Sequence, residues 1–440
     1  MSSEFSLKDL EKLNSRYNIF TSLTSEKEID ANFVFSAKDN LVSKDFETRA
    51  GSKILEGYAP GFDATPIKRM RDAGGFLSGK TNMDEFGFGT FSTNSAYGIP
   101  KNPFDLNRSC GGSSGGAACI AAIIEDHVAL GVSTGGSIVC PASFCGVFGI
   151  SPTYGRVSRY GLIDYGNSLD KVGILSAKAA NLTKYLPIIA GKDPKDPTSC
   201  VQPEMRKDLR KIKSVAIPKE AIEGISKGVM ESFTSALDVL KSMSIDVEYV
   251  SMPSLKYAIP AYYVIATSEA STNLARYCGM RYGQQDGDLA LKFDDYFSSI
   301  RSKYFGDEAK RRILLGTFTR MVGYADRYYN KALQVREIII VEYKNIFKTH
   351  DAIVTPTMPF VSPRFDEISK MSALESYKAD FLTVPPNISG TPHLSVPCGY
   401  SDGMPVGMQF IADHWNEDLL LSAATEWEKA FDIKHPEVKL

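Results

Sequence analysis

Two rhythms of apolar and polar positions alternate along the chain. In "KIKSVAIPKE" the apolar residues form a short run closed by Pro218 and Lys219, the mark of a strand. "GISKGVMESFTSALDVLKSM" then places Val229, Phe233, Leu237 and Leu240 three or four residues apart, so one face of a helix is apolar. "IDVEYVSMP" reads as the next strand. Strand alternating with helix predicts an α/β sheet. Further on, "DAIVTPT", "PHLSVPCGY" and "PVGMQFIA" read as buried strands, and "NEDLLLSAATEWEKAF" as a closing amphipathic helix. No internal repeat and no polar linker divides the 440 residues, so one large domain spanning 1–440 is the simpler organisation.

From about Gly74 to Gly166 this rhythm gives way to dense glycine and small polar residues. The stretch opens with "GGFLSGKT", in which Gly74, Gly79, Lys80 and Thr81 match a phosphate-cradling loop. Such a loop requires the order strand, loop, helix, so that the helix N-terminus faces the phosphates. Here "ATPIKRMRDAGG" carries Ile67, Met70 and Arg71 at helical spacing, with Thr65 and Pro66 as a start and Gly74 and Gly75 as a stop. The residues after Gly75, "FLSGKTNMDEFGFG", have no apolar stripe at helical spacing. The expected order is helix, turn, short strand, and the match marks a helix end.

Composition removes several function classes. The 43% hydrophobic content supports a large core. Fifty Lys and Arg against 52 Asp and Glu leave a formal charge of −2, which provides no field for gripping a polyanion. Seven scattered cysteines without C-x-x-C pairs argue for unpaired thiols. His127, His350, His393, His414 and His435 never stand at ligand spacing, so no metal site is implied. The longest apolar runs, such as "EIIIVEY", are too short to span a membrane. "MSSEFSLKDLEKLN" carries Glu4, Asp9 and Glu11 and resembles neither a signal nor a transit peptide.

Chemistry concentrates in "RSCGGSSGGAA" and "GVSTGGSIVCPASFCG". Glycines on both sides of a serine let backbone N–H groups converge on one point, as an oxyanion hole requires. Ser137 in "TGGS" is the candidate nucleophile. No histidine lies near either motif and the G-x-S-x-G elbow is absent, which leaves a lysine as the candidate base. A buried lysine can lose its proton near neutral pH because desolvation disfavours the ammonium. Lys38 in "VFSAKDNLVS", a lone cation after a strand-like run, fits that role. A Gly-Ser stretch taken alone is more often a flexible loop. The two motifs and the upstream lysine together reverse that weighting.

"GGSSGG" followed by "TGGS", with Ser113 and Ser137 24 residues apart, resembles the amidase signature family. The resemblance implies a large central mixed β-sheet flanked by helices on both faces. It also implies a triad in which Lys38 is the base, Ser113 a relay serine held after a cis peptide bond, and Ser137 the acyl-forming nucleophile. Thr134, Gly135 and Gly136, with Ser137 itself, would supply the oxyanion hole. From about residue 17 onward the chain is similar to the glutaminase subunits of glutamyl-tRNA(Gln) amidotransferases. "GKTNMDEFGFG", "NPFDLNRSCGGSSGG", "SPTYGRVSRYGLIDYGNSLDKVG" and "VPPNISGTPHLSVPCG" carry that similarity most specifically.

A glutaminase must hold both charges of free glutamine. The resemblance assigns Arg312 to the α-carboxylate, Asp380 to the α-amino group, and Tyr262 or its neighbour Tyr263 to the same pocket. Read bare, Arg312 belongs to a solvated basic face with Lys310 and Arg311, Tyr262 to the core, and Asp380 to a loop start. The implied partners are glutamine as substrate, a B-type subunit that carries the tRNA, and a small accessory subunit of the kind found in the fungal mitochondrial form. No cofactor is expected in this chain; ATP and Mg would be used by the partner. The mitochondrial matrix is the implied compartment, with the cytoplasm as alternative.

The chain departs from the bacterial pattern at Ser133, where Asp is usual, and at Val139, where Arg is usual. Cys110 replaces a usual Pro and Ala117 a common Ser. Losing the carboxylate and guanidinium should remove support behind the nucleophile loop, so activity is expected to be weak or partner-dependent. Lys38 follows only 37 residues where the family has two further N-terminal helices, leaving apolar surface for another protein to cover. Three alternatives remain open on sequence alone: an amidase for another amide, a catalytically silent scaffold, and an ATP-binding protein using the 74–81 segment.

Overall fold

The computed structural model describes residues 6–26, 31–199, 201–206 and 208–438. Eleven strands form one sheet: β1 (Phe20–Leu23), β2 (Phe33–Lys38), β3 (Gly75–Thr81), β4 (Val128–Ser133), β5 (Phe148–Ser151), β6 (Lys171–Ser176), β7 (Ser214–Pro218), β8 (Asp246–Val250), β9 (Ala352–Pro356), β10 (His393–Ser401) and β11 (Met404–Ile411). Their spatial order is β1-β3-β2-β4-β6-β5-β10-β11-β9-β7-β8. Strand β2 runs parallel to both β3 and β4, and β7 parallel to both β8 and β9, while the middle of the sheet is antiparallel. The sheet is mixed, as the family resemblance implied.

Alternation along the central strands shows why both faces are covered. In β4, Val128, Leu130 and Val132 enter the larger hydrophobic cluster and Ala129 enters a second one; in β6, Val172 and Ile174 enter the first and Leu175 the second. Side chains of period two leave a strand on opposite faces, so each face needs its own helices. Helices Thr65–Asp72 and Ala179–Ile189 bring Ile67, Met70, Leu182 and Leu186 to the first cluster. Helix Gly115–Ile123 brings Ala117 to Ala122 to the second, where Leu10, Leu13 and Tyr17 of helix Leu7–Tyr17 meet it.

The strands and helices expected between 210 and 250 are Ser214–Pro218, Lys227–Ser242 and Asp246–Val250, and the closing helix is Glu417–Ala430. Thr65–Asp72 is a helix that ends before Gly74, and Gly75–Thr81 is strand β3. Lys80 is therefore a strand residue, fully buried, 3.7 Å from Asp39 and donating to Thr48 Oγ1 at 3.2 Å. The phosphate-loop geometry is absent. The six described cysteines are free thiols, five of them buried. Among the described residues no helix is long and apolar enough to cross a membrane.

Helix Gly115–Ile123 begins directly after Ser113 and Ser114, and its first turn lies against two other backbone segments. A Cβ at Gly116 would stand 2.3 Å from Ile19 O and 2.7 Å from Asn82 N. Neither atom can swing aside. Gly116→Ala should therefore destabilise the protein by about 1–3 kcal/mol in a chemical denaturation experiment, despite alanine's higher helix propensity.

Candidate active site

The parallel pairing of β2 with β4 brings the C-terminal ends of two interior strands side by side. Ala37 is level with Leu130, so Lys38 at the end of β2 faces the end of β4, from which the loop to Ser137 departs. Lys38 Nζ donates to Ser113 Oγ at 2.6 Å and to Val132 O at 3.0 Å. Lys38 is 1% exposed and Ser113 1% exposed. The Gly112–Ser113 peptide bond is cis. Burial pulls the Lys38 ammonium down to about 7, with Asp84 and Asp170 opposing the shift through their charge.

Ser137 lines a small pocket together with Gly87, Gly89, Gly112, Gly136, Tyr262, Tyr263, Arg312 and Asp380. Ser113 Oγ lies just behind that lining, 3.4 Å from where a Cβ on Gly87 would sit. Two close approaches make the pocket possible. A side chain on Gly112 would meet Asp84 Oδ2 at 2.3 Å, and one on Gly136 would meet Thr383 Oγ1 at 2.2 Å. The N–H groups of Thr134, Gly135, Gly136 and Ser137 donate to no protein acceptor among the described residues, whereas Gly136 O accepts from Cys140 N at 2.8 Å. Unpaired amides bordering a pocket are what an oxyanion hole presents.

Arg312 does not belong to a solvated face. It is 3% exposed although Lys310 and Arg311 beside it lie on the surface, because successive helical positions turn by about 100°. Its Nε donates to Glu308 Oε1 at 2.8 Å and its Nη1 to the Tyr165 hydroxyl. Phe88, Tyr165, Tyr263 and Tyr377 surround the guanidinium with ring centroids 5.2 to 5.6 Å away. Such faces favour a cation without neutralising it. Asp380 accepts from Thr90 Oγ1 and from the Tyr263 hydroxyl, both at 2.9 Å. Burial pushes its carboxyl up to about 6, against those two donors and the Arg312 charge.

The neighbouring tyrosines occupy two different positions. Tyr262 sets its hydroxyl against Gly135, 2.8 Å from where a Cβ would stand, and Tyr263 braces Asp380. Both border the pocket.

Several groups in this constellation were not picked out by sequence reasoning. Asp84 accepts from the backbone of Ser92 and Asn94, and burial pushes its carboxyl up to about 6. Asp170 accepts from Thr134 Oγ1 at 2.6 Å and from the N–H groups of Tyr165 and Gly166. Asp84 and Asp170 both lie inside quoted motifs, "NMDEFG" and "SLDK", yet nothing local distinguishes them from loop aspartates. The departures at 133 and 139 leave no charge there: Ser133 Oγ donates to Gly135 O at 3.1 Å and Val139 is fully buried. A carboxylate still reaches the loop that carries Ser137, from Asp170. Among the described residues no three His, Cys, Asp or Glu side chains converge as metal ligands would.

The chain belongs to the amidase family, whose model matches residues 6–421. It is 44% identical to the A subunit of glutamyl-tRNA(Gln) amidotransferase from Methanococcoides burtonii, over 90% of this chain and 84% of that protein. The protein of the same description in Clostridium botulinum is 45% identical over 89% of this chain and 82% of that protein. The crystal structure of the glutamyl-tRNA(Gln) amidotransferase A subunit from Thermotoga maritima superposes with a TM-score of 0.85 at 34% identity, covering 99% of this chain and 94% of that one.

Lysine 13Cε NMR should show Lys38 losing its proton near pH 7, far below an exposed lysine. Between that value and about 10.4 the unfolded chain holds a proton that the folded one lacks, so stability rises with pH across the window. Lys38→Met should flatten that dependence.

Proposed function

We propose that this chain is the glutaminase subunit of a glutamyl-tRNA(Gln) amidotransferase. The observation that carries the reading is a single pocket in which Ser137 is joined by one buried cation, Arg312, and one buried carboxylate, Asp380. That pairing matches an α-amino acid, whose carboxylate and ammonium must both be met while the side-chain amide reaches the nucleophile.

In this reading the Ser137 hydroxyl proton passes to Ser113 as the Ser113 proton passes to neutral Lys38 Nζ. The Ser137 oxygen bonds to the side-chain amide carbon of glutamine, and the N–H groups of Thr134 to Ser137 receive the developing oxyanion. The proton returns from Lys38 through Ser113 to the amide nitrogen, the C–N bond breaks, and ammonia leaves an ester on Ser137. Water repeats the sequence and releases glutamate. A base whose proton comes off near neutral pH suits both directions of that transfer. The ammonia serves a B-type partner that activates tRNA-bound glutamate with ATP and Mg and forms glutaminyl-tRNA. The net charge of −2 suits a chain that leaves tRNA binding to that partner, with a small accessory subunit completing the assembly.

Glutamine-dependent ammonia release, measured on the chain alone and with B-type partner, glutamyl-tRNA and ATP, should require Ser137 and vanish in Ser137→Ala. No release in any assembly of folded protein would move the reading to a silent scaffold. Arg312→Met and Asp380→Asn should each raise KM for glutamine roughly 10- to 100-fold, the worth of a charged hydrogen bond. Simple amides lacking the α-groups should be cleaved by both variants as by the parent. If those amides are lost equally, the charges do not serve glutamine recognition.

A further inference from the structure

The carbonyl oxygens of three successive peptides in the nucleophile loop are all held. Thr134 O accepts from Asn387 Nδ2, Gly135 O from Ser133 Oγ at 3.1 Å, and Gly136 O from Cys140 N at 2.8 Å. These peptides are trans, so each carbonyl points opposite to the N–H of the next residue. Tying the oxygen back aims the N–H forward. The three N–H groups set in this way, those of Gly135, Gly136 and Ser137, donate to no protein acceptor among the described residues.

Two of the three ties are local. Ser133 and Cys140 belong to the loop's own ends, whereas Asn387 comes from helix Val384–Ile388, 253 residues away in sequence. Its amide also donates to Leu169 O at 3.0 Å, next to Asp170, which holds Thr134 Oγ1. Only an NH2 group can face two carbonyl oxygens, so the orientation of the amide is settled. Asn387 is 1% exposed, and its Oδ1 is buried without a partner. An orphaned acceptor disfavours asparagine there as mere filling; leucine of similar size would bury no such group.

We infer that Asn387 is a positioning residue for the reaction at Ser137: it turns the Thr134–Gly135 peptide so that the Gly135 N–H faces the side of the loop bordered by Tyr262, where the oxyanion develops. The inference rests on the reading of Ser137 as the nucleophile. Among the described residues the Asn387 amide hydrogen-bonds Thr134 O and Leu169 O and neither Arg312 nor Asp380, so its loss is expected to leave ground-state binding of substrate unchanged.

The test compares wild type, Asn387→Leu and Asn387→Asp, each as the full chain assembled with its partner; the aspartate keeps the shape but its carboxylate cannot donate. Loss of one oxyanion donor should lower kcat for glutamine roughly 100-fold with KM unchanged. Affinity for the aldehyde analogue of glutamine, which forms a tetrahedral adduct on serine, should weaken in parallel, while affinity for glutamate stays put. The rate at which a fluorophosphonate labels Ser137 should fall likewise. Folded variants with wild-type kcat and labelling overturn the inference, as do variants in which KM rises and kcat holds. The labelling arm separates the two readings. A wild type that labels but does not hydrolyse glutamine sinks the glutaminase reading and leaves the Asn387 comparison to be decided by labelling rates. A wild type that does neither sinks both.

Discussion

The site depends on one desolvated cation. Lys38 stands at the end of an interior strand with a serine oxygen and a backbone carbonyl as its hydrogen-bond partners and, among the described residues, no carboxylate in ion-pair contact. Burial therefore dominates its protonation, and the ammonium is held only to about 7. Lys80, in the neighbouring strand, is equally buried but has Asp39 at 3.7 Å, and it is held to about 8. The two lysines share a sheet and differ in partner. Lys80 has a carboxylate beside it within the fold; Lys38 has only a serine hydroxyl and a backbone carbonyl.

A second constraint is space. Ser113, Ser137, Asp84 and Thr383 can crowd one point because Gly112 and Gly136 carry no Cβ where the carboxylate and the threonine approach. The same crowding buries Arg312 and Asp380 and makes every charge in the pocket consequential. Arg312 and Asp380 survive there for different reasons. The arginine is held by Glu308, Tyr165 and aromatic faces, whereas the aspartate has two hydroxyl donors and is pushed up to about 6. A ligand bearing a carboxylate and an ammonium would complete both environments, which is the physical basis for reading the pocket as one for an α-amino acid.

Local pattern carried the backbone scaffold well. Helical spacing at Val229, Phe233, Leu237 and Leu240 and strand-like runs around it correspond to Lys227–Ser242 between β7 and β8. Glycines after a helical run were enough to turn "GGFLSGKT" from a phosphate loop into a helix end and a strand. Arg312 shows where local reading fails. Two exposed cations beside it point to a solvated face, and only the direction of the helix, set by packing against Ala258–Asn273, turns it inward. Asp84, Asp170 and Asn387 failed for a related reason: a single Asp in a loop, or an Asn in a helix of five residues, has no period to read.

By itself the sequence determined what is local or covalent about this protein: the α/β alternation, the two serine motifs and their interval, the near-zero charge, and through resemblance the family. Tertiary structure decided which groups share an environment. Lys38 meets Ser113 across 75 residues, Tyr263 meets Asp380 across 117, and Asn387 meets Thr134 across 253. Desolvation and hydrogen bonding act through space over a few ångströms, and distance along the chain carries no information about either until the sheet has assembled.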